Sequence, residues 1–244
     1  MTNTENAPTN IIQAAKDLTL VLLTLFGLKY SLLQFDAMWT FAGPISLISA
    51  AAVATWRVKA SGESWASLGF IHSTSHLKLA FWTIGAFVLT ILAGVLAGSI
   101  ASGVLPNLQV SEQAGNFAQN RFANVPGNLP AYLYWLLVSW IVGGFTEELL
   151  FRGFLINRFE KLFKKVPFAV GIAIGIQALI FGQQHMYYLG VTGLVETGII
   201  GIVSGAIYII CGRRLWPLII SHGLANTLGI TMIYLGNAPG GVIE

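Results

Sequence analysis

Repeated apolar runs of about 20 residues constrain this chain more than any other feature of its sequence. A helical run of that length crosses the hydrocarbon core of a bilayer. With only 9% charged residues, the chain also falls far below the roughly 25% of soluble domains. The sequence therefore predicts an all-α fold, a polytopic transmembrane helical bundle with about seven spans and between six and eight allowed. The expected spans are 18–35, 37–56, 77–105, 129–157, 167–190, 194–211 and 215–235.

The charged residues between these runs predict the orientation of the bundle. In a seven-span arrangement ten basic residues fall on one side, and only Arg121 falls on the other. Basic loops remain in the cytoplasm, so we expect a cytoplasmic N-terminus and an extracytoplasmic C-terminus. The N-terminus lacks the positive region of a cleavable signal, which favours a permanent first span. The ten residues are Lys16, Arg57, Lys59, Lys78, Arg158, Lys161, Lys164, Lys165, Arg213 and Arg214.

The composition also argues against several classes of function. The basic residues form no patch interleaved with aromatic residues, so no nucleic-acid partner is expected. Cys211 is the single cysteine, which excludes an intrachain disulfide and a cysteine-rich metal site. No repeat divides the chain, and we expect one integral membrane domain over residues 1–244.

A few ionisable and amide side chains lie inside the predicted spans. Each ionisable one costs roughly 2.5–3.5 kcal/mol at mid-bilayer on insertion scales, so such residues usually have a function. They occur in three short motifs, "EELLFR", "FGQQH" and "HGLAN". These motifs place the functional core within about residues 129–235. The polar residues are Glu147, Glu148, Arg152, His185, His222 and Asn226.

Helical spacing distinguishes the two glutamates of the first motif. Glu148 and Arg152 are four residues apart, so on an α-helix they share a face and can form an ion pair. Glu147 is rotated by about 140° from Arg152 on the same geometry. We therefore expect Glu147 to find its partners on other helices, among His185, His222 and Asn226. A purely structural clamp is an alternative explanation for Glu148 with Arg152.

The other two motifs suggest hydrolytic chemistry. Phe181 and His185 are four residues apart, as are His222 and Asn226. A carboxylate with a neutral histidine can hold and deprotonate water, and a histidine with an asparagine amide can stabilise an oxyanion. Together these residues fit hydrolysis of an amide bond by activated water, although a single intramembrane histidine also serves in packing or proton relay.

The three motifs, in this order, resemble those of the CAAX-protease and bacteriocin-processing family of glutamic intramembrane proteases, which includes the type II CAAX prenyl endopeptidases. The resemblance covers residues 140–230. It implies that Glu147 activates water with help from His185 and that His222 and Asn226 hold the oxyanion. Glu148, Arg152 and Phe181 would then support the site.

The resemblance also implies a metal-independent endopeptidase that needs no cofactor, and the absence of HExxH agrees with this. Its substrate would be a peptide or a membrane protein, with or without a prenyl group, cut within the bilayer near the cytoplasmic side. We expect the protein in a bacterial cytoplasmic membrane. Two other functions remain open: a non-catalytic immunity or partner-binding scaffold, and a proton-coupled transporter.

Other intramembrane proteases fit less well. Ser204 and His222 could form a rhomboid-like dyad, but "GIVSG" has the wrong spacing for that family and leaves both glutamates unexplained. Presenilin-like proteases need two intramembrane aspartates, whereas Asp17 and Asp36 stand at the ends of the predicted first span.

The predicted depths of the motif residues differ. At 1.5 Å per residue, Glu147 and His222 lie about 10–15 Å from the cytoplasmic ends of their spans and His185 about 27 Å. If these residues share a water molecule, the fifth helix must either begin at the cytoplasmic surface and enter the bilayer late or be strongly tilted, and we expect the former. Pro167 suits such a helix start, and Gln177 marks a polar position along it.

Overall fold

The computed structural model describes residues 11–71, 75–104 and 120–236, and within these ranges the chain is helical with short connections. The described ranges contain six long helices: α1 (Ile11–Leu32), α2 (Trp39–Ala60), α3 (His76–Val104), α4 (Leu129–Leu162), α5 (Ala169–Ile210) and α6 (Trp216–Tyr234). Short 3₁₀ turns at Asp36–Met38 and Trp65–Leu68 join the early helices. Most of residues 106–128, which connect the predicted third and fourth spans, lie outside the described residues.

Five of these helices, α1 to α5, are long and apolar enough to cross a membrane. Their outward faces carry large apolar side chains, such as Leu77 and Phe81 of α3 at 83% and 69% exposure, which suits contact with lipid rather than water. The protein is therefore an integral membrane protein. The predicted all-α class is confirmed.

Helix α5 contains the predicted fifth and sixth spans in one element of 42 residues. Gly190 interrupts it with φ 63° and ψ −157°, a conformation that essentially only glycine adopts. The two halves then pack against each other. The Gln177 side chain donates to the Gly201 carbonyl at 2.8 Å, and a methyl group at Gly201 would lie 3.0 Å from Ala178 Cα. Counting both halves of α5 and α6, the described residues form seven helical segments, roughly compatible with the expected number of spans.

Helix α4 lies at the centre of the bundle and packs against α2, α5 and α6, while α3 covers α5 and α6. Asn128 caps its N-terminus by accepting a hydrogen bond from the Ala131 amide, and Pro130 occupies the first turn. The main core surrounds its second half, where residues 149–156 are all buried. The motif side chains of α4 are thus held by the most densely packed part of the molecule.

The "LGF" tract, Leu68–Phe70, packs against this half of α4. A methyl group at Gly153 would lie 2.7 Å from the Leu68 carbonyl oxygen, so the glycine permits that approach. The Gly69 carbonyl accepts a hydrogen bond from the Leu215 amide at 3.0 Å. The tract therefore joins the connection after α2 to α4 and to the start of α6.

Candidate active site

Residues from all three motifs line one cavity. It has a volume of about 390 Å³ and lies between α2, α4, α5 and α6. Glu147, His185, His222 and Asn226 all contribute to its wall, together with mainly apolar neighbours. We refer to it as the large cavity. The structure brings together the four side chains that the sequence singled out for catalysis, although they come from three helices.

The predicted pairing of Glu148 with Arg152 is present in the structure. Arg152 Nη1 lies 3.2 Å from Glu148 Oε1, and both side chains are buried. The guanidinium also stacks on the Phe181 ring, 4.5 Å from its centroid. Glu147 instead faces a residue of another helix, because His222 Nε2 lies 3.8 Å from its Oε2.

The helix geometry behind this arrangement differs from the one assumed above. Ser139–Ile156, the middle of α4, is wound as a π-helix, with hydrogen bonds between residues five apart. The Thr146 hydroxyl follows the same spacing and donates to the Ile141 carbonyl at 2.7 Å. The rotation of 140° between Glu147 and Arg152 applies to an α-helix and is therefore wrong for this segment. π-helical turns are rare and often occur at functional sites.

His222 contacts both glutamates. Its Nδ1 lies 2.8 Å from Glu148 Oε1, and its Nε2 faces Glu147. Glu148 is paired with Arg152 and can only accept hydrogen bonds as a carboxylate, so Nδ1 of His222 carries a proton and donates it. This contact orients the ring and leaves Nε2 toward the large cavity. Glu148 is thus tied to His222 as well as to Arg152, a contact that the sequence analysis did not include.

The proton position on His185 is set in a similar way. His185 Nδ1 lies 2.8 Å from the Phe181 carbonyl oxygen. A carbonyl can only accept, so Nδ1 carries the hydrogen and Nε2 has the free lone pair. The Phe181 ring packs edge-on against the His185 ring at 4.8 Å. Phe181 thereby connects His185 to Arg152, which gives the FxxxH spacing a physical basis.

Gly143 makes room for the two side chains contributed by α6. A methyl group at this position would overlap Asn226 Nδ2 and lie 3.5 Å from His222 Nε2. Gly144 permits the backbone contact beside it, because a methyl group there would lie 3.2 Å from the Ile219 carbonyl oxygen. The analysis of polar motifs did not give Gly143 a role. The sequence signal for this role is the pair of adjacent glycines, Gly143 and Gly144, before the first motif.

A second, smaller cavity of about 130 Å³ also borders His222, and Glu148 and Arg152 contribute to its wall. Among the described residues, Glu148 Oε2 and Arg152 Nε have no hydrogen-bond partner although they are buried. Buried polar atoms beside a cavity of this size are suited to binding ordered water. Ser204 also lines this cavity but not the large one.

The large cavity extends from Glu147 in one direction along α4 and α6. Its wall includes Trp135, Val138 and Val142 of α4, all before Glu147, and Ile230 and Ile233 near the end of α6. These residues lead toward the start of α4 and the end of α6. The cavity therefore runs away from the basic connections after α4 and before α6.

Arg121 also borders the large cavity, a position that loop-charge counting did not reveal. In the described ranges, no three His, Cys, Asp or Glu side chains are grouped so that they could hold a metal ion. That the protein works without a metal or cofactor stays a prediction.

The fold and the site define a class: integral membrane proteins of helical-bundle architecture with a buried cluster of carboxylates, histidines and an arginine beside a cavity. Within this class, residues 129–228 match the family described as "Type II CAAX prenyl endopeptidase Rce1-like". This segment contains all three motifs. The family resemblance drawn from those motifs is therefore confirmed.

A protein of Escherichia coli described as "Uncharacterized 24.3 kDa protein" is 27% identical over 149 residues, which make up 61% of this chain and 62% of that protein. The chain thus spans less than two-thirds of the length of this curated relative. No solved structure is detectably similar to the chain.

Proposed function

We propose that this protein is an intramembrane endopeptidase that hydrolyses a peptide bond with a glutamate-activated water molecule. The family match supports protease-type activity in general. The proposal that a glutamate activates the water rests on one observation, the large cavity, whose wall contains Glu147, His185, His222 and Asn226. A carboxylate, a basic ring nitrogen and two hydrogen-bonding nitrogens are the groups that amide hydrolysis needs.

In the first step, a water molecule lies between Glu147 and the free Nε2 of His185. Glu147 accepts a proton from this water while the oxygen attacks the substrate carbonyl carbon. The former carbonyl oxygen becomes an oxyanion. The Asn226 amide donates to it, and so does His222 Nε2 when the ring carries both protons. Glu148 supports that form of His222 by accepting from its Nδ1.

In the second step, the carbon–nitrogen bond of the tetrahedral intermediate breaks. Glu147 returns its proton to the departing nitrogen, so the products are a carboxylic acid and an amine and the carboxylate is regenerated. Arg152 and Phe181 are positioning residues: each one holds another residue of the site in place. Arg152 holds Glu148, and the Phe181 carbonyl holds His185 in the tautomer that leaves Nε2 free.

The cavity also supports a proposal about the substrate. Its wall is largely apolar apart from the motif residues and a few polar neighbours, which suits an apolar peptide or the end of a membrane protein, with or without a prenyl group. The substrate reaches Glu147 from the end of the bundle where α4 begins and α6 ends. Under the predicted topology this end is extracytoplasmic. The scissile bond of a substrate that enters there would therefore cross most of the membrane before it reaches Glu147.

The decisive experiment compares purified wild-type protein with Glu147→Gln on a peptide library, read by mass spectrometry in water enriched in ¹⁸O. The wild type should produce fragments whose new C-terminus carries the label. Glu147→Gln should lose at least about a hundredfold in rate because general acid–base catalysis contributes 10²–10⁴-fold. Glu160→Gln is a matched control: Glu160 stands at the end of α4 in an ion pair with Arg213, outside the cavity.

Glu147→Gln protein that cuts at the wild-type rate would refute the proposal. If the protein is instead a non-catalytic scaffold, its biological function in cells would survive the combined change Glu147→Ala and His185→Ala. A transporter would instead show substrate flux in proteoliposomes without any labelled fragment.

A further inference from the structure

We propose that Lys29 is a positioning residue for His185 and thereby connects α1 to the active site. This role rests on the proposed function and adds a residue that neither hydrolytic step uses. Lys29 lies in the last turn of α1, a helix long and apolar enough to cross a membrane, and its side chain is fully buried. Burying an ionisable group in a membrane span is costly, and such residues usually have a function.

The Lys29 ammonium contacts the two residues that precede His185 in the chain. Its Nζ lies 3.1 Å from Gln184 Oε1 and 3.4 Å from the backbone carbonyl oxygens of both Gln183 and Gln184. An ammonium has three donors, and a carbonyl oxygen that already accepts a helical hydrogen bond has a second lone pair, so all three contacts can form together. The Tyr187 ring, with its centroid 5.1 Å from Nζ, adds an aromatic face of the kind that attracts a cation. Lys29 thus fixes the backbone immediately before His185.

A chain of side-chain contacts leads from Lys29 through α5 and back to α1. Because Gln184 Oε1 accepts from the ammonium, its Nε2 lies on the other side of the amide and donates to Gln183 Oε1 at 3.2 Å. Gln183 Nε2 in turn donates to the Tyr30 hydroxyl, beside Lys29 on the same helix. Residues of α1 therefore orient both glutamines of the FGQQH motif, which gives the middle of this motif a role beyond helix formation.

The segment that Lys29 holds forms part of the proposed active site. Gln184 is 5% exposed and lines, together with Glu147 and His185, a cavity of about 50 Å³ that adjoins the large one. The same segment ends at Gly190, where α5 is interrupted, and the end of a helix lacks the hydrogen bonds that would continue it. Contacts from α1 therefore help to set the distance between His185 and Glu147. A misplacement of about 1 Å can cost about a hundredfold in rate, so the position of this segment matters for catalysis.

The first measurement compares the steady-state kinetics of wild type and Lys29→Met on a peptide that the wild type cleaves, with activity expressed per folded molecule. The change removes the ammonium but keeps an unbranched side chain. kcat should fall about ten- to a hundredfold through misplacement of His185, whereas KM should stay near wild type because Lys29 does not line the large cavity. Lys161→Met is the matched control, the same substitution at a lysine that pairs with Glu63 away from this cavity, and it should keep wild-type kcat. Wild-type kcat in Lys29→Met would contradict the inference.

The second measurement separates a positioning role from a merely structural one. Lys29→Met is combined with His185→Ala in a double-mutant cycle, because residues that depend on one another do not show additive losses. The double variant should retain the kcat of His185→Ala alone. Losses that multiply would show that Lys29 acts independently of His185, and the inference would be wrong. If Lys29→Met does not fold, Gln184→Met takes its place in every measurement. This change removes the nearest acceptor but leaves the ammonium two carbonyls, and a kcat loss of about three- to tenfold is then expected.

Nuclear magnetic resonance of protein labelled with ¹⁵N-histidine gives a third measurement that does not depend on turnover. In Lys29→Met the ring signals of His185, assigned by their absence from His185→Ala, should shift or broaden. The signals of His222, whose ring is held by Glu148, should stay unchanged and serve as the internal reference. An unchanged His185 signal would overturn the inference even if the protein is a protease. A shifted His185 signal in a protein whose wild type cleaves no peptide would uphold the inference and refute the proposed function instead.

Discussion

Among the described residues, two groups of largely buried charged residues differ in how completely their members are paired. The first, the site cluster, consists of Glu147 and His222 beside the large cavity and of Glu148 and Arg152 beside the smaller one. The second, the clamp cluster, joins α1, α2, the connection after α2, and the end of α4. Its members are Asp17, Arg57, Glu63, Arg158 and Lys161.

The clamp cluster is a network in which every member has an ion-pair partner, although Arg158 Nη2 meets Glu63 Oε1 without hydrogen-bond geometry. Asp17 lies 2.8 Å from Arg57 and 2.9 Å from Arg158, while Glu63 lies 2.8 Å from Arg158 and 3.1 Å from Lys161. None of its members lines the large cavity.

In the site cluster, by contrast, Glu147 faces the large cavity with His222 no closer than 3.8 Å, and the far oxygen of Glu148 has no hydrogen-bond partner among the described residues. Removing one member of a paired buried cluster leaves an uncompensated charge and destabilises the fold, whereas buried charges left available beside a cavity can act on a ligand. Mutations should separate the two effects.

The largest effect on stability is expected in the clamp cluster. Asp17→Asn keeps the size of the side chain but removes the charge that the buried Arg158 and the partly buried Arg57 share. Breaking such a pair costs about 3–5 kcal/mol of unfolding free energy. Thermal unfolding in detergent should show the loss, while peptide cleavage per folded molecule remains close to wild type. A normal melting temperature with lost cleavage would reverse the roles assigned to the two clusters.

A loss of cleavage is expected from Gly143→Ala. The added methyl group would displace Asn226 Nδ2 and crowd His222 Nε2. Removing one oxyanion donor costs about 10²–10³-fold in kcat, so the variant should lose a comparable factor. Gly171→Ala in α5 is the control, since a methyl group there meets nothing within 4 Å. Full activity of Gly143→Ala would show that Asn226 and His222 need not hold their observed positions.

A smaller loss of activity is expected from Phe181→Leu. The change removes the ring that contacts both the Arg152 guanidinium and the His185 imidazole, but the backbone carbonyl that accepts from His185 remains. We expect kcat to fall about tenfold, because an aromatic contact is worth roughly 0.5–1.5 kcal/mol beyond its buried area. Phe159→Leu, in the same core but away from the cavity, should lower stability similarly and leave kcat unchanged.

The smallest effect is expected at the margin of the clamp cluster. The Lys161 side chain is 28% exposed where it pairs with Glu63, and such solvent-accessible pairs contribute about 0–1 kcal/mol. Lys161→Met should therefore change the unfolding midpoint little and cleavage not at all. A loss approaching that of Asp17→Asn would mean that the network depends on every one of its charges.

The two clusters also show what could be predicted from the sequence. Spacing along one helix reveals Glu148 and Arg152. Polar residues are conspicuous in apolar spans, which reveals His185, His222 and Asn226. The sequence does not reveal the clamp cluster, because loop-charge counting treats its three basic residues, Arg57, Arg158 and Lys161, as charges that determine topology, whereas the structure pairs them with Asp17 and Glu63. Arg158 and Asp17 stand 141 residues apart, and no local pattern indicates such a contact.

Two features of the site depend on backbone conformation or on neighbouring helices, and therefore cannot be predicted from the sequence. The π-helical winding of Ser139–Ile156 has no counterpart in the apolar pattern, and the assumption of α-helical rotation gave a wrong angle for Glu147. The hydrogen bond between Glu148 and His222 depends on how α6 packs against α4. The first predicted span also began too late, at residue 18, whereas α1 starts at Ile11 and contains Asp17 within it.

The winding of α4 has a consequence for the thickness of membrane that this protein suits. Its 34 residues would extend about 51 Å as a regular α-helix, well beyond the roughly 30 Å of a typical hydrocarbon core. Hydrogen bonds between residues five apart place more residues in each turn, so the π-helical middle of α4 is shorter and wider. The depth of Glu147 therefore follows from this winding as well as from its position in the sequence. Because mismatch between helix length and bilayer costs a fraction of a kcal/mol per ångström, a bilayer of different thickness would act directly on the segment that holds both glutamates.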